Sequence, residues 1–312
     1  MKPFRKNLAI AVDGGGIRGV VVTKALTMLE ESLGQPIHEL TRLYAGTSTG
    51  AIISTALAAK LSASQIHDLY VNLGETVFRK SWRTLLFPLG RYRYSYKPLD
   101  EALHDALGDI RMKDLWHDLR LTDMVITTFD VLSSKTLFIK PWKLQYQDWP
   151  LRHAALASSS VPTYFPPIDG RYIDGGVGSY ANPCYLAAYE LNFCLGWKPE
   201  ETTLLSFGTG RPPSAFKPGE PERAQAWTWI EPLVDAVIAS TTDQQVRLVE
   251  TFFKKLDFRR FQVDLRDNVE MDDVGRIPEL VEYGRQLGEM VLSDRVDCAM
   301  RVKPSTPGQE AG

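Results

Sequence analysis

A serine held between glycines at a sharp turn is the pattern of an exposed nucleophile, and Gly46-Thr47-Ser48-Thr49-Gly50 carries it. The chemistry it would serve is acyl transfer: a hydroxyl attacks a carbonyl, and the chain holds the acyl group until an acceptor removes it. So tight a turn leaves no room for side chains on its flanks, hence glycine at both Gly46 and Gly50. A second segment supplies what such an attack also needs. Asp13-Gly14-Gly15-Gly16-Ile17-Arg18-Gly19 offers consecutive backbone N–H groups at the start of a helix, an anion cradle. Gly14, Gly16 and Gly19 also satisfy GxGxxG, so a nucleotide-binding module is a rival. A dinucleotide fold requires an acid at the end of the second strand to hold the ribose. Here that strand ends at Ala45 and runs into Gly46-Thr47-Ser48. The other use of the cradle is an oxyanion hole beside Ser48, with Arg18 either adding positive charge or pairing with a surface carboxylate.

Ser48 needs a group to take its proton. The histidines are His38, His67, His104, His117 and His153, and none follows His153, so the chain order serine, acid, histidine cannot be built around Asp174. His67, His104 and His117 fall in surface-patterned helices. His38 precedes the second strand at its far end, and His153 begins a helix away from any glycine turn. A carboxylate remains. Asp174 ends a short strand and is followed by Gly175 and Gly176, which would present its side chain at a crowded place. Asp13 also ends a strand before glycines, and reads as a base or as an N-cap. An aspartate of ordinary pKa is a weak base for an alcohol. A Ser–Asp pair therefore requires direct contact and a partly dry pocket that raises the carboxyl's pKa.

The elements that must position these residues follow from hydrophobic patterning. Leu8 to Val12 and Leu43 to Ala45 are short apolar runs that predict buried strands. Val20 to Leu33, stopped by Gly34, and Ala51 to Lys60 predict the helices after them. Successive parallel strands of a doubly wound sheet are usually neighbours, so the loops after strands one and two should meet at one edge. Further helices are predicted over Ser64 to Val77, Asp100 to Leu107, Leu151 to Ser158, Cys184 to Asn192 and Ile277 to Leu292. Strands are predicted over Leu121 to Asp130, Thr136 to Lys140, Gly170 to Ile173 and Thr202 to Phe207. Ala226 to Phe253 carries two helix-length apolar patterns, and Phe258 to Leu265 alternates like an edge strand.

The bulk properties narrow the class. At 312 residues and a net charge of −2, the chain suits a large α/β domain with no affinity for a nucleic-acid polymer. Cys184, Cys194 and Cys298 are widely spaced, and no CxxC occurs, so neither a disulfide framework nor a zinc site is expected. No segment has the length of a bilayer span or a signal-peptide core, which predicts a cytoplasmic protein that meets membranes only peripherally. From Arg79 to Lys97 six cations interleave with aromatic and aliphatic residues and no acid. That composition suits either a loop packed by its aromatics or a segment that contacts an anionic lipid surface or a phosphate-bearing regulator.

Taken together, the motifs resemble those of the patatin-like phospholipases, over most of the chain from Leu8 to about Leu292. They occur in the family's order: the glycine loop at 13–19, the elbow at 46–50, Ala157-Ser158-Ser159-Ser160-Val161-Pro162 with Phe165 and Pro166, Asp174-Gly175-Gly176 with Asn182-Pro183 beyond, and Ser206-Phe207-Gly208-Thr209-Gly210. The resemblance implies a three-layer α/β/α sandwich with a mainly parallel sheet, as one domain over 1–300, with a disordered tail at 303–312. It implies Ser48 as nucleophile, Asp174 as base, oxyanion donors at Gly14, Gly15 and Gly16 supported by Arg18, and no metal or cofactor. The substrates implied are ester bonds of membrane phospholipids; an acyltransferase or thioesterase would use the same serine. Some bacterial members of similar size are anti-phage effectors switched on by cyclic nucleotides, which makes a cyclic oligonucleotide activator a further expectation.

Overall fold

The computed structural model describes residues 1–78, 91–117, 122–214, 216, 219–223, 225 and 230–297. Among these residues seven strands form one sheet: β1 (Asn7–Val12), β2 (Thr41–Gly46), β3 (Asp123–Asp130), β4 (Lys135–Ile139), β5 (Tyr172–Asp174), β6 (Thr202–Phe207) and β7 (Asp257–Phe261). Their order is β4-β3-β2-β1-β6-β7, with β5 also paired to β3. The pairs β1–β2, β1–β6, β2–β3 and β6–β7 are parallel; β4 and β5 run antiparallel to β3. The expected three-layer fold with a mainly parallel sheet is the fold observed.

The layers follow from the period-two alternation of strand side chains. Leu8, Ile10 and Val12 of β1, with Tyr44, Met124 and Ile126, enter one core with α1 (Gly19–Leu33), α2 (Thr49–Ala58), α3 (Ala63–Val77), α4 (Lys97–Leu107), α5 (Leu151–Ser159) and α8 (Ile277–Leu292). Ala9 and Ala11, with Leu43, Ala45 and Val125, face the opposite core with α6 (Cys184–Tyr189) and α7 (Ile230–Phe252). Helix boundaries have local causes. Gly34 ends α1 in the left-handed region at φ 68°, its N–H on the Glu30 carbonyl. Ser62 and Gln65 start α3 with a reciprocal capping box.

Three sequence expectations change. The two helix patterns over Ala226 to Phe253 belong, in their described part, to the single helix α7; residues 226–229 lie outside the described residues. The strand expected over Phe258 to Leu265 ends at Phe261; beyond it Val263 and Leu265 bond to the Arg211 backbone in an isolated parallel bridge. The helix expected to reach Asn192 widens after Tyr189 into a π-turn over Glu190–Cys194. Of the cationic segment, 79–90 lies outside the described residues, as does the 303–312 tail. At 91–97 the aromatics pack: Tyr94 is buried, Arg93 and Tyr94 bond along the backbone of Thr163 and Tyr164, and the Arg93 guanidinium lies over the Tyr164 ring while pairing with Asp272.

Candidate active site

β1 and β2 are adjacent and parallel, so the turns that leave their C-terminal ends meet above the sheet. The β2 turn is as tight as its glycines suggest. A Cβ on Gly46 would lie 2.3 Å from the Gly50 carbonyl oxygen, and one on Gly50 would lie 2.1 Å from that of Val12. Ser48 stands at the bend with φ 56° and ψ −123°, a conformation that costs a non-glycine residue roughly 1–3 kcal/mol and persists only where neighbours hold it. Those neighbours are visible. Thr47 Oγ1 bonds to Thr127 Oγ1 at 2.7 Å and to the Tyr180 carbonyl at 2.6 Å. The Ser48 N–H donates to Ser158 Oγ at 2.9 Å. In the first turn of α2, Gly50 donates to Thr47, and Ala51 and Ile52 donate to Ser48. Among the described residues the N–H of Thr49, at the N-terminus of α2, has no hydrogen-bond partner.

Asp174 arrives from the other side, at the end of β5. Its N–H donates to the Ser160 carbonyl at 3.0 Å, and its Oδ1 accepts the Gly176 N–H at 2.8 Å. Gly175 is glycine because a Cβ there would lie 2.1 Å from Thr127 Oγ1. The carboxyl is buried, which pushes its pKa up; the adjacent Ser48 hydroxyl and the Gly176 amide pull it part of the way back, leaving it at about 6. Its Oδ2 has no well-aligned hydrogen bond among the described residues and is free to tighten onto a proton.

The glycine loop separates into distinct tasks. The sequence predicts three equivalent donors there, but the Gly14 N–H is already used, bonding to the Ala181 carbonyl at 2.9 Å. Gly14 instead makes room: a Cβ there would sit 3.3 Å from that of Ser48. The amides of Gly15 and Gly16 have no hydrogen-bond partner among the described residues, and Gly16 lines the pocket beside Ser48. Thr209 donates to the Gly14 carbonyl at 2.7 Å, and the Met271 carbonyl accepts the Ile17 N–H at 2.9 Å, bracing the loop from both sides. Arg18 Nε donates to the Gly15 carbonyl at 3.3 Å.

Asp13, read from sequence as a base or an N-cap, is neither. It is buried in a bidentate pair with Arg260, at 2.8 and 2.5 Å, and Arg260 also donates to Ser206 Oγ. The pair ties β1 to β7 beneath the glycine loop. Arg260→Met would leave Asp13 as an uncompensated buried charge, for which a loss of about 3–5 kcal/mol is expected. Urea denaturation reads this directly, and wild-type stability in the variant would contradict the role given to the pair. The histidines are engaged elsewhere: His67 with Thr23, His153 with Asp169, His38 with the Leu61 carbonyl, His104 with Asp109. None of these four touches Ser48 or Asp174.

Ser48 lies at the wall of an apolar pocket. Ile17, Ile52, Tyr70, Val77, Leu99 and Phe165 are among its walls, so it suits a hydrocarbon chain. Among the described residues no cluster of three or more metal-ligating side chains occurs, and no helix is long and apolar enough to cross a membrane.

The model of the patatin-like phospholipase family matches residues 10–188, more than half of the chain. This chain belongs to the patatin-like phospholipase family. Patatin-17 of Solanum cardiophyllum is 25% identical over 91% of this chain and 84% of the relative. The intracellular phospholipase A2 of Caenorhabditis elegans is 30% identical over 68% of this chain and 20% of the relative. Among solved structures, VipD of Legionella pneumophila matches with a TM-score of 0.49 and 14% identity, over 94% of this chain and 67% of that one. As a patatin-like phospholipase the chain is a carboxylic ester hydrolase.

Ser158, Thr209 and Arg260 are contributions that motif reading does not assign. Ser158 lies within the serine run, and Thr209 within the last glycine turn. Arg260 has no sequence signal beyond an arginine in a strand. Ser158→Ala would leave the buried Ser48 N–H unpaired, at a cost of roughly 1–3 kcal/mol where the elbow is already strained. The expected result is a kcat lower by about 10- to 100-fold in a folded protein. An unchanged kcat would remove Ser158 from the account of the elbow.

Proposed function

We propose that this patatin-like phospholipase hydrolyses ester bonds of membrane glycerophospholipids, with Ser48 as nucleophile and Asp174 as base. The observation that carries this reading is the Asp174 carboxyl placed beside the Ser48 hydroxyl, under open amides, at the wall of an apolar pocket. An acyl chain enters the pocket and its carbonyl carbon meets Ser48 Oγ. Asp174 takes the hydroxyl proton as the Ser48 O–C bond forms. The negative charge moves to the carbonyl oxygen, where the N–H groups of Gly15, Gly16 and Thr49 receive it; losing one such donor costs about 10²–10³ in rate. Collapse expels the alcohol, which takes the proton from Asp174. Water then attacks the acyl-serine as Asp174 accepts its proton; the acyl–Oγ bond breaks, Asp174 returns the proton to Ser48 Oγ, and the fatty acid leaves.

Mass spectrometry of the products from mixed-phospholipid vesicles tests the reading. Free fatty acid with matching lysophospholipid is expected, and intact phospholipid after prolonged incubation would refute it. Activation by a cyclic oligonucleotide, a part in anti-phage defence and a cytoplasmic location with peripheral membrane contact complete the proposal. Family resemblance supports these finer points, whereas the described cation Arg93 is already held by Asp272 and Tyr164. Fatty-acid release with and without a panel of cyclic oligonucleotides decides the activator, and identical rates would dismiss it.

A further inference from the structure

One side chain belongs both to the pocket wall and to the nucleophile turn. Tyr70, from α3, lines the pocket. Its hydroxyl donates to the Thr49 carbonyl at 2.8 Å and accepts from the Thr49 hydroxyl at 2.5 Å. These bonds hold the Thr49 side chain and the Thr49–Gly50 peptide, and so steady the first turn of α2, whose N-terminal N–H is that of Thr49. The clasp depends on the last glycine of the 13–19 loop. A Cβ on Gly19 would lie 2.4 Å from Thr49 Oγ1 and 2.6 Å from the Tyr70 ring, so only glycine lets ring and hydroxyl come together there. The oxyanion-hole reading of that loop has no task for Gly19; this contact provides one. Burial raises the phenol's pKa, so the hydroxyl keeps the proton it donates.

We infer that Tyr70 is a specificity-determining positioning residue that ties the seat of the acyl chain to the amide of Thr49. Esters long enough to pack on its ring are then turned over faster, rather than only bound more tightly. The inference rests on the proposed roles of Ser48 and of the Thr49 N–H. Its physical basis is general: contacts far from the reacting bond raise kcat when they fix groups that act only in the transition state. A long chain against the ring holds the ring, the ring's hydroxyl holds Thr49, and the donor stays aimed at the oxyanion. An acetyl group leaves that wall untouched.

The test compares p-nitrophenyl decanoate with p-nitrophenyl acetate on the full chain. In the wild type, kcat for decanoate is expected to exceed that for acetate. Tyr70→Phe keeps the ring in the pocket and removes both bonds. It should leave KM for decanoate within about twofold while the decanoate-to-acetate kcat ratio falls about tenfold or more, as for a misplaced oxyanion donor. Thr49→Val removes one arm of the clasp from a side chain of the same shape, and should lower the same ratio by less. Should Tyr70→Phe fail to fold by circular dichroism, the Thr49→Val ratio decides. An equal loss on both esters, a change in KM alone, an unchanged ratio, or no chain-length preference in the wild type would overturn the inference. Hydrolysis that survives Ser48→Ala would instead strike the Ser48 reading itself, whatever Tyr70 does.

Discussion

Ser48→Ala is expected to lower ester hydrolysis by roughly 10⁴–10⁶-fold, the scale seen when a nucleophile that acts in concert with its base is removed. The loss should fall on kcat, because the pocket that seats the acyl chain is untouched. Stability should not fall with it. Alanine keeps the Cβ, so it bears the same backbone strain at φ 56° and ψ −123°, and Ser48 contributes little packing volume of its own. Ser48→Gly would release that strain and should be more stable than Ser48→Ala by about 1 kcal/mol or more, while equally inactive. Fatty-acid release and thermal melting of the two variants separate these effects. Residual turnover within tenfold of wild type in the alanine variant would exclude Ser48 as nucleophile.

Asp174→Asn is expected to cost about 10³- to 10⁴-fold in kcat/KM, since an amide cannot accept the serine proton. It should also change how stability depends on pH. The Asp174 carboxyl has a pKa of about 6 in the folded chain against 3.8 when unperturbed. Between these values the folded state holds a proton that the unfolded state has released, so stability falls as pH rises through this window. The full difference approaches 3 kcal/mol, at about 1.4 kcal/mol per unit. The introduced amide, still able to accept the Gly176 N–H through its carbonyl oxygen, lacks that cost. The variant should therefore be more stable than wild type at pH 8, with the gap closing below pH 4. In the wild type the same titration should give kcat/KM an acid limb near pH 6, because only the ionised carboxylate serves as base. A variant no more stable than wild type at pH 8, or an activity profile flat between pH 5 and 7, would mean that Asp174 is not held in a dry, proton-binding site.

Much of the site is legible in the chain because turns and strand ends are local. Gly46 is crowded by Gly50 and Gly176 by the Asp174 carboxyl, atoms within a few residues, whereas Gly50 and Gly175 are crowded by Val12 and Thr127 from other strands. Gly14 shows where locality ends. Its amide reads as a donor in the sequence, yet the Ala181 carbonyl, far along the chain, occupies it. Asp13 and Asp174 look alike in sequence, each closing a strand before glycines. What separates them is Arg260, which lies across two strands from Asp13 and leaves it a structural ion. Burial pushes both carboxyls up, but among the described residues no cation pairs with Asp174.

By itself the sequence determined the sheet's alternating faces and the two glycine turns at neighbouring strand ends, since each depends on spacing along one short segment. The tertiary structure alone decided which carboxylate is free, which amides remain unbonded, and that Ser158 and Tyr70 hold the elbow from two different helices. Those facts depend on groups distant in sequence that meet only when the layers close, and one-dimensional patterning carries no measure of that meeting.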